Sequence, residues 1–120
     1  MANILVVDDD RVLSHLIASL LRDKGHKVVA AFDAVQAMML AMKPPHFDVV
    51  ILDINMPGGS GEDTLRKLKM STRTSAMPII VLSGSIDEAG RKRVMEHGAA
   101  AALGKPLVPD ELFAAIESVL

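Results

Sequence analysis

The chain has 120 residues, with 13 Lys and Arg against 15 Asp and Glu, and half of its residues are hydrophobic. A chain of this length buries enough surface for one hydrophobic core and not for two, so we expect a single domain over residues 1–120. The absence of cysteine excludes disulfides, thiolate metal sites and cysteine nucleophiles. Nearly balanced charge and only three aromatic residues, all of them Phe, argue against nucleic-acid binding.

Three short apolar runs, at residues 4–7, 49–52 and 79–82, predict strands that are buried on both faces. Each run is rich in β-branched residues. Weaker patterns at residues 27–31 and 99–103 bring the number of predicted strands to five. The first run has no basic leader and is soon followed by three acids, so we expect neither a signal peptide nor a membrane span there.

Helical patterns lie between these strands. The first helix has apolar residues at helical spacing and ends at Lys24-Gly25. Asp33 and Asp87 are placed to cap the second and fourth helices. The third is predicted at residues 62–70, and the fifth begins at Pro109 and runs to Leu120. Two apolar stripes are predicted to face the core: Val12, Leu13, Leu16, Ile17, Leu20 and Leu21 in the first helix, and Val35, Met38, Met39 and Met42 in the second.

The strict alternation of strands and helices, with short connections, predicts the fold class. It indicates an α/β domain whose parallel sheet is covered by helices on both faces, with right-handed crossovers. Arg91-Lys92-Arg93, in the predicted fourth helix, is interpreted as a solvated helix face. No repeat or linker interrupts the pattern, which agrees with a single domain.

Polar side chains stand where four of the predicted strands end, at the edge where open parallel sheets bind ligands. Singly, each has an ordinary structural interpretation: Asp10 can equally cap the first helix, and Asp53 can serve in a turn. Together they bring carboxylates to one edge, where their charges repel one another unless a cation lies between them. The residues are Asp8, Asp9 and Asp10 after the first strand, Asp53 after the third, Ser83 after the fourth and Lys105 after the fifth.

Carboxylates without His or Cys in the pattern form a set of hard oxygen ligands, which favours Mg²⁺. With Asp8 and Asp9 as metal ligands, Asp53 keeps an oxygen that can attack a phosphorus atom. Ser83 and Lys105 are then placed to contact the oxygens of an incoming phosphoryl group. The pattern therefore predicts phosphoryl transfer to Asp53, assisted by Mg²⁺.

The sequence resembles the receiver domains of two-component response regulators over essentially its whole length. The resemblance rests on Asp8-Asp9, on Asp53-Ile54-Asn55-Met56-Pro57-Gly58, on Ser83-Gly84 and on Lys105-Pro106, in the family's order and spacing. It implies a flavodoxin-like doubly wound sheet with five parallel strands in the order 2-1-3-4-5. It also implies a cis peptide bond between Lys105 and Pro106.

By this resemblance Asp53 is the phosphoacceptor. The remaining assignments concern the metal and the phosphoryl oxygens: Mg²⁺ is held by Asp8, Asp9, Asp53 and the backbone carbonyl of Asn55, and the phosphoryl oxygens are bound by Ser83 and Lys105. The resemblance implies a cytoplasmic signalling switch. By the same resemblance we expect no enzyme in the usual sense, but a domain that catalyses only its own phosphorylation and slow dephosphorylation.

The resemblance also implies two kinds of partner. A sensor histidine kinase or a histidine phosphotransfer protein supplies the phosphoryl group, and a downstream protein or an effector domain outside this chain receives the signal. We expect no contact of this domain with nucleic acid or with a membrane. A stand-alone regulator and the receiver portion of a longer protein fit the sequence equally well.

Ala102 departs from the family pattern, because Tyr or Phe commonly stands three residues before the lysine. This departure is the best argument for a pseudo-receiver, which binds partners without being phosphorylated. Other α/β enzymes fit less well. The first strand-to-helix turn is acidic, whereas a nucleotide site needs a glycine-rich turn. Asp53 is followed two residues later by Asn55, where haloacid-dehalogenase-like phosphatases have a second Asp.

Overall fold

A computed structural model describes residues 1–56 and 60–120 of the chain. Strands and helices alternate throughout, as the sequence predicts. The elements in chain order are β1 (Asn3–Val7), α1 (Arg11–Asp23), β2 (Lys27–Ala31), α2 (Ala34–Met42), β3 (Val49–Asp53), α3 (Ser60–Met70), β4 (Ile79–Ser83), α4 (Glu88–Glu96), β5 (Ala101–Gly104) and α5 (Pro109–Val119).

The five strands form one parallel sheet in the order β2-β1-β3-β4-β5. The predicted fold class and strand order are therefore confirmed. The register aligns the carboxyl ends of the strands: Val7 pairs with Leu52 and Asp53 with Leu82. Because every strand runs in the same direction, the loops that follow the strands meet at one edge of the sheet.

Helices cover both faces of the sheet, and each face has its own hydrophobic cluster. Leu5 and Val7 point to the cluster beneath α2, α3 and α4, while Ile4 and Val6 point to the cluster beneath α1 and α5. This division follows from the alternation of side chains along a strand. All five residues of β3 and all five of β4 are buried, which accounts for their continuous apolar sequence.

Three aspartates cap the helices that follow β1, β2 and β4. Asp33 Oδ1 accepts a hydrogen bond from the amide of Gln36, and Asp87 Oδ1 accepts one from Gly90, each at 2.7 Å. Both predicted caps are confirmed. Asp10 Oδ1 also acts as a cap, because it accepts hydrogen bonds from two amides at the start of α1.

The apolar stripes of α1 and α2 are less buried than their sequence spacing predicts. Val12 is 82% exposed and Met39 is 56% exposed. Small residues occupy much of the buried faces instead, including Ser14 and Ala18 in α1 and Ala37 in α2. Helical spacing identifies a stripe, whereas the width of its buried part depends on how closely the helix lies on the sheet. The prediction that the whole stripes face the core was therefore wrong.

β5 begins two residues later than predicted, at Ala101. The amide of Ala99 still donates to the carbonyl oxygen of Val94 in α4, and the amide of Ala100 is the first to donate to β4, at Ile79. The Lys105-Pro106 peptide bond is cis, as the resemblance implied, and so is Pro44-Pro45. In residues 1–56 and 60–120, no helix has the length and apolar character needed to span a bilayer.

Candidate functional site

The predicted site residues converge at the carboxyl edge of the sheet. Asp53 and Ser83 are the last residues of β3 and β4, and these strands are neighbours. Asp8 directly follows β1, on the other side of β3, and Lys105 directly follows β5. The fold thus brings side chains that are up to about a hundred positions apart in sequence to one place.

Asp8, Asp9 and Asp53 form a cluster of carboxylates. Each contributes an oxygen atom, and the three oxygens all lie within 4.8 Å of one another. Asp8 and Asp53 are 1% and 4% exposed, whereas Asp9 is exposed. Two buried carboxylates and one exposed carboxylate leave one side of the cluster open to solvent, from which an ion can enter.

Asp8 is in an unfavourable environment for a negative charge. Its Oδ1 accepts a hydrogen bond from the amide of Asp10 at 2.9 Å, but its buried Oδ2 has no hydrogen-bond partner among the described residues. Burial raises the pKa of Asp8 to about 6, and the nearby charge of Asp53 adds to the rise. A buried oxygen without a partner is an observation that fits a metal ligand.

Among the described residues, Lys105 places a positive charge next to the buried carboxylates of the site. Its Nζ lies 3.4 Å from Oδ2 of Asp53 and 3.8 Å from Oδ2 of Asp8. Its side chain is 24% exposed, so solvent screens these ion pairs less than it would screen pairs on an open surface. The ammonium group therefore stands beside the Asp53 carboxylate, where it can offset negative charge.

Asn55 connects Asp53 to the end of the neighbouring strand, β4. Its backbone amide donates a hydrogen bond to Oδ1 of Asp53 at 3.0 Å. Its side-chain Oδ1 accepts hydrogen bonds from Ser83 Oγ at 2.7 Å and from the amide of Gly84 at 3.1 Å. The resemblance assigns Asn55 only a backbone role. Its side chain contacts residues that are 28 and 29 positions further along the chain, and no local sequence pattern reveals contacts over such a distance.

A cavity of about 550 Å³ lies next to Asn55 and Ser83, between α3 and α4. Ile86 and Val94 give it an apolar wall. Glu62 and Arg93 stand on its border, and they form an ion pair that joins α3 to α4. Arg91, Lys92 and Arg93 are all exposed, as the sequence predicts. Arg91 also donates a hydrogen bond to the carbonyl oxygen of Ala102 at 2.8 Å.

The donor set suits a hard divalent cation. Three carboxylates lie together, one of their buried oxygens lacks a partner, and no His or Cys joins the cluster among the described residues. Mg²⁺ prefers oxygen ligands and retains several water molecules, and an open side of the cluster leaves room for those. The residues present therefore fit Mg²⁺.

Comparison with known proteins shows the family. The response regulator receiver domain family matches residues 4–117, so the chain belongs to that family. Among solved structures, chemotaxis protein CheY4 of Vibrio cholerae aligns with a TM-score of 0.92 and 31% identity, over 100% of this chain and 99% of that one. A response regulator receiver domain protein from Clostridium thermocellum aligns with a TM-score of 0.90 and 33% identity, over 99% and 94%.

Longer relatives match at the level of sequence. The transcriptional regulatory protein CpxR of Klebsiella pneumoniae is 39% identical over all 120 residues, which cover 50% of that protein. The phosphate regulon transcriptional regulatory protein PhoB of Escherichia coli strain K12 is 33% identical over 117 residues, which cover 51% of it. The chain spans about half the length of these relatives. It is a receiver domain of the two-component response regulators.

Proposed function

We propose that Asp53 is the phosphoacceptor of this receiver domain and that it takes its phosphoryl group from a phosphohistidine. The observation that carries this assignment is the position of Asp53. It is the buried last residue of a central strand, its Oδ2 lies 3.4 Å from the Lys105 ammonium, and it belongs to the three-carboxylate cluster. The donor is a sensor histidine kinase or a histidine phosphotransfer protein.

The transfer is a displacement at phosphorus. A carboxylate oxygen of Asp53 forms a bond to phosphorus while the bond from phosphorus to the donor's imidazole nitrogen breaks. The nitrogen keeps the electron pair of that bond and takes up a proton. Lys105 pairs with the phosphoryl oxygens, and the Ser83 hydroxyl donates a hydrogen bond to one of them.

Asp8, Asp9, Asp53 and the backbone carbonyl of Asn55 are the proposed ligands of Mg²⁺. When bound, Mg²⁺ offsets the negative charges of the carboxylates and of the phosphoryl oxygens. The support for these ligands is the cluster geometry and the unpartnered Oδ2 of Asp8. Asp8 and Asp53 are held by their strands, so the protein needs little rearrangement to bind the ion.

We further propose that the domain acts as a switch and catalyses only its own phosphorylation and slow dephosphorylation. Residues 1–120 form one receiver, which controls an effector in the same or in another protein. The relatives named transcriptional regulatory proteins are about twice as long as this chain, which supports such an effector. Because phosphohistidine is formed from ATP, we propose that the domain works in the cytoplasm.

Intact-mass measurement tests the proposal. The protein is incubated with acetyl phosphate, with and without Mg²⁺, beside the variant Asp53→Asn. We expect one added phosphoryl group that requires Mg²⁺ and is absent from the variant. An unmodified protein that still binds Mg²⁺ would contradict the proposal and favour a pseudo-receiver, for which Ala102 is the argument.

A further inference from the structure

The side-chain oxygen of Asn55 receives two hydrogen bonds, one from the last residue of β4 and one from the residue that follows it. Ser83 Oγ lies 2.7 Å from it and the backbone nitrogen of Gly84 lies 3.1 Å from it. Ser83 itself is 2% exposed, so its hydroxyl has little access to water as an alternative partner. The contact is therefore the main polar interaction that determines where this hydroxyl points.

The hydrogen bond from the Gly84 amide shows which atom of the Asn55 side chain faces Ser83. A backbone amide can only donate, so the atom of Asn55 that faces Gly84 is the carbonyl oxygen and not the amide nitrogen. Ser83 Oγ faces the same oxygen, and an oxygen acceptor requires a donor. The single proton of the Ser83 hydroxyl is thus directed at Asn55.

This geometry conflicts with the proposed role of Ser83 in the phosphorylated protein. A hydroxyl group has one proton, and the Ser83 hydroxyl cannot donate it to Asn55 and to a phosphoryl oxygen at the same time. We propose that Asn55 is a positioning residue that holds Ser83 in the unphosphorylated state and thereby opposes the switch. The inference rests on the proposed function, because it needs a phosphoryl group that competes for Ser83.

The surroundings allow the contact to open. Asn55 and Ser83 both border the cavity of about 550 Å³ between α3 and α4, so either side chain has space to rotate. Asn55 is exposed, and its oxygen can take a water molecule in place of the hydroxyl. Opening therefore costs about one uncharged hydrogen bond, which corresponds to a change of roughly twofold to tenfold in an equilibrium constant.

The absence of an aromatic residue at Ala102 makes this contact more important here. Ala102 is 5% exposed and has no side chain that can rotate into the cavity. Ser83 is then the side chain at this edge of β4 and β5 whose hydrogen bonding responds directly to phosphorylation. Its resting partner sets how readily that response occurs.

A double-mutant cycle tests the inference. Binding of beryllofluoride, a mimic of the phosphoryl group, is followed by ¹H–¹⁵N NMR at saturating Mg²⁺ for the wild type, Asn55→Ala, Ser83→Ala and the double variant. We expect Asn55→Ala to bind the mimic roughly twofold to tenfold more tightly when Ser83 is present. In the Ser83→Ala background the same substitution is expected to change nothing, because it acts through Ser83.

Two further measurements make the test specific. Ser85→Ala, at another position on the cavity wall, is the matched control, and we expect no increase in affinity from it. In the wild type, the Gly84 amide resonance should shift when the mimic binds. The reason is that Asn55 Oδ1, which accepts the hydrogen bond of that amide, then loses its second hydrogen bond, from Ser83. Urea unfolding of the four cycle proteins without Mg²⁺ should show non-additive losses of stability, which detects the hydrogen bond independently of phosphorylation.

Each result has a defined meaning. Wild-type protein that fails to bind the mimic with Mg²⁺ would overturn the proposed function and this inference with it. Wild-type binding with an Asn55→Ala affinity that is unchanged or lower would overturn only the inference. An equal gain in both Ser83 backgrounds would also overturn it, since Asn55 would then act without Ser83.

Discussion

Arg93 on α4 binds Glu62 on α3 through two nitrogen atoms, with Nε 2.6 Å from Oε1 and Nη2 3.3 Å from Oε2. The two residues are 31 positions apart, so the pair joins two helices that are distant in sequence. It lies on the border of the cavity next to Asn55. A two-point pair between a guanidinium and a carboxylate has a defined geometry, and it fixes the distance between the helices at this point.

We predict that Arg93→Gln raises the pKa of Glu62. The hydrogen bond from Arg93 lowers that pKa in the folded protein. A carboxyl pKa that is lowered by folding stabilises the folded protein at pH values above the pKa of the unfolded chain. This stabilisation is lost as the pH falls through the pKa of the folded protein. NMR titration of the Glu62 side chain should show a higher pKa in the variant, and the variant's acid unfolding should depend less on pH over this range. An unchanged Glu62 pKa would show that the pair does not persist in solution.

We predict that Asp8→Asn stabilises the protein in the absence of Mg²⁺. Because burial raises the pKa of Asp8 from 3.8 to about 6, the folded protein binds a proton more tightly than the unfolded chain. The free energy of unfolding therefore increases as the pH falls from above 6 towards 4. At neutral pH the buried Asp8 carboxylate lowers the free energy of unfolding by up to about 3 kcal/mol.

Urea denaturation measures this effect. At pH 7 the Asp8→Asn variant should gain about 1–3 kcal/mol, because it removes the buried charge and keeps an oxygen for the Asp10 amide. At pH 5 the gain should be smaller, since Asp8 is then mostly protonated in the wild type. The same variant should bind Mg²⁺ more weakly. A loss of stability at pH 7 would show that the Lys105 charge already compensates Asp8.

We predict that Gly61→Ala destabilises the fold next to the site. A Cβ atom at residue 61 would overlap the backbone oxygen of Ile54, so α3 or the segment after β3 would have to move. We expect a loss of about 1–3 kcal/mol in urea denaturation and a shift of the Asn55 amide resonance. Gly104→Ala is the matched control, because a Cβ there meets nothing within 4 Å. Equal effects of the two substitutions would contradict the close approach of α3 to Ile54.

We predict that Asp10 stabilises α1 and is not needed for the metal. Its Oδ1 caps the helix by accepting hydrogen bonds from Val12 and Leu13 at 3.0 and 3.1 Å. Asp10→Ala should cost about 1 kcal/mol, and Asp10→Asn, which keeps the acceptor, should cost much less. Calorimetric titration with Mg²⁺ should show a far smaller loss of affinity for Asp10→Asn than for Asp9→Asn. The reverse order would make Asp10 a metal ligand.

Much of the fold follows from local sequence patterns. The continuous apolar sequences of β1, β3 and β4 are stable only when they are buried on both faces of the sheet. Asp33 and Asp87 cap their helices through hydrogen bonds to amides only three residues away. The convergence of the site was also predictable, because parallel strands bring their carboxyl ends to one edge. These features depend on periodicity and topology, which a single sequence contains.

The features that the sequence did not reveal depend on distances between elements. The contact of Asn55 with Ser83 joins two loops, and the pair of Glu62 and Arg93 joins two helices. Val12 and Leu16 show the same limit in packing: they are four positions apart on one face of α1, at the spacing of a buried stripe, yet they are 82% and 49% exposed. Whether a residue at a given spacing is buried depends on the strand or helix that packs against it. That contact is not determined by the residues adjacent to it in the sequence.

The complete burial of β3 has a consequence for how such a domain can change during evolution. Asp53 is positioned by the same packed strand that stabilises the sheet, so a mutation that shifts Asp53 also weakens the whole molecule. Asn55 and Ser85 lie on exposed loops beyond the strands, and they can be replaced without loss of core contacts. Substitutions at these loop positions can therefore change the surroundings of Asp53, while Asp53 and its strand stay constant.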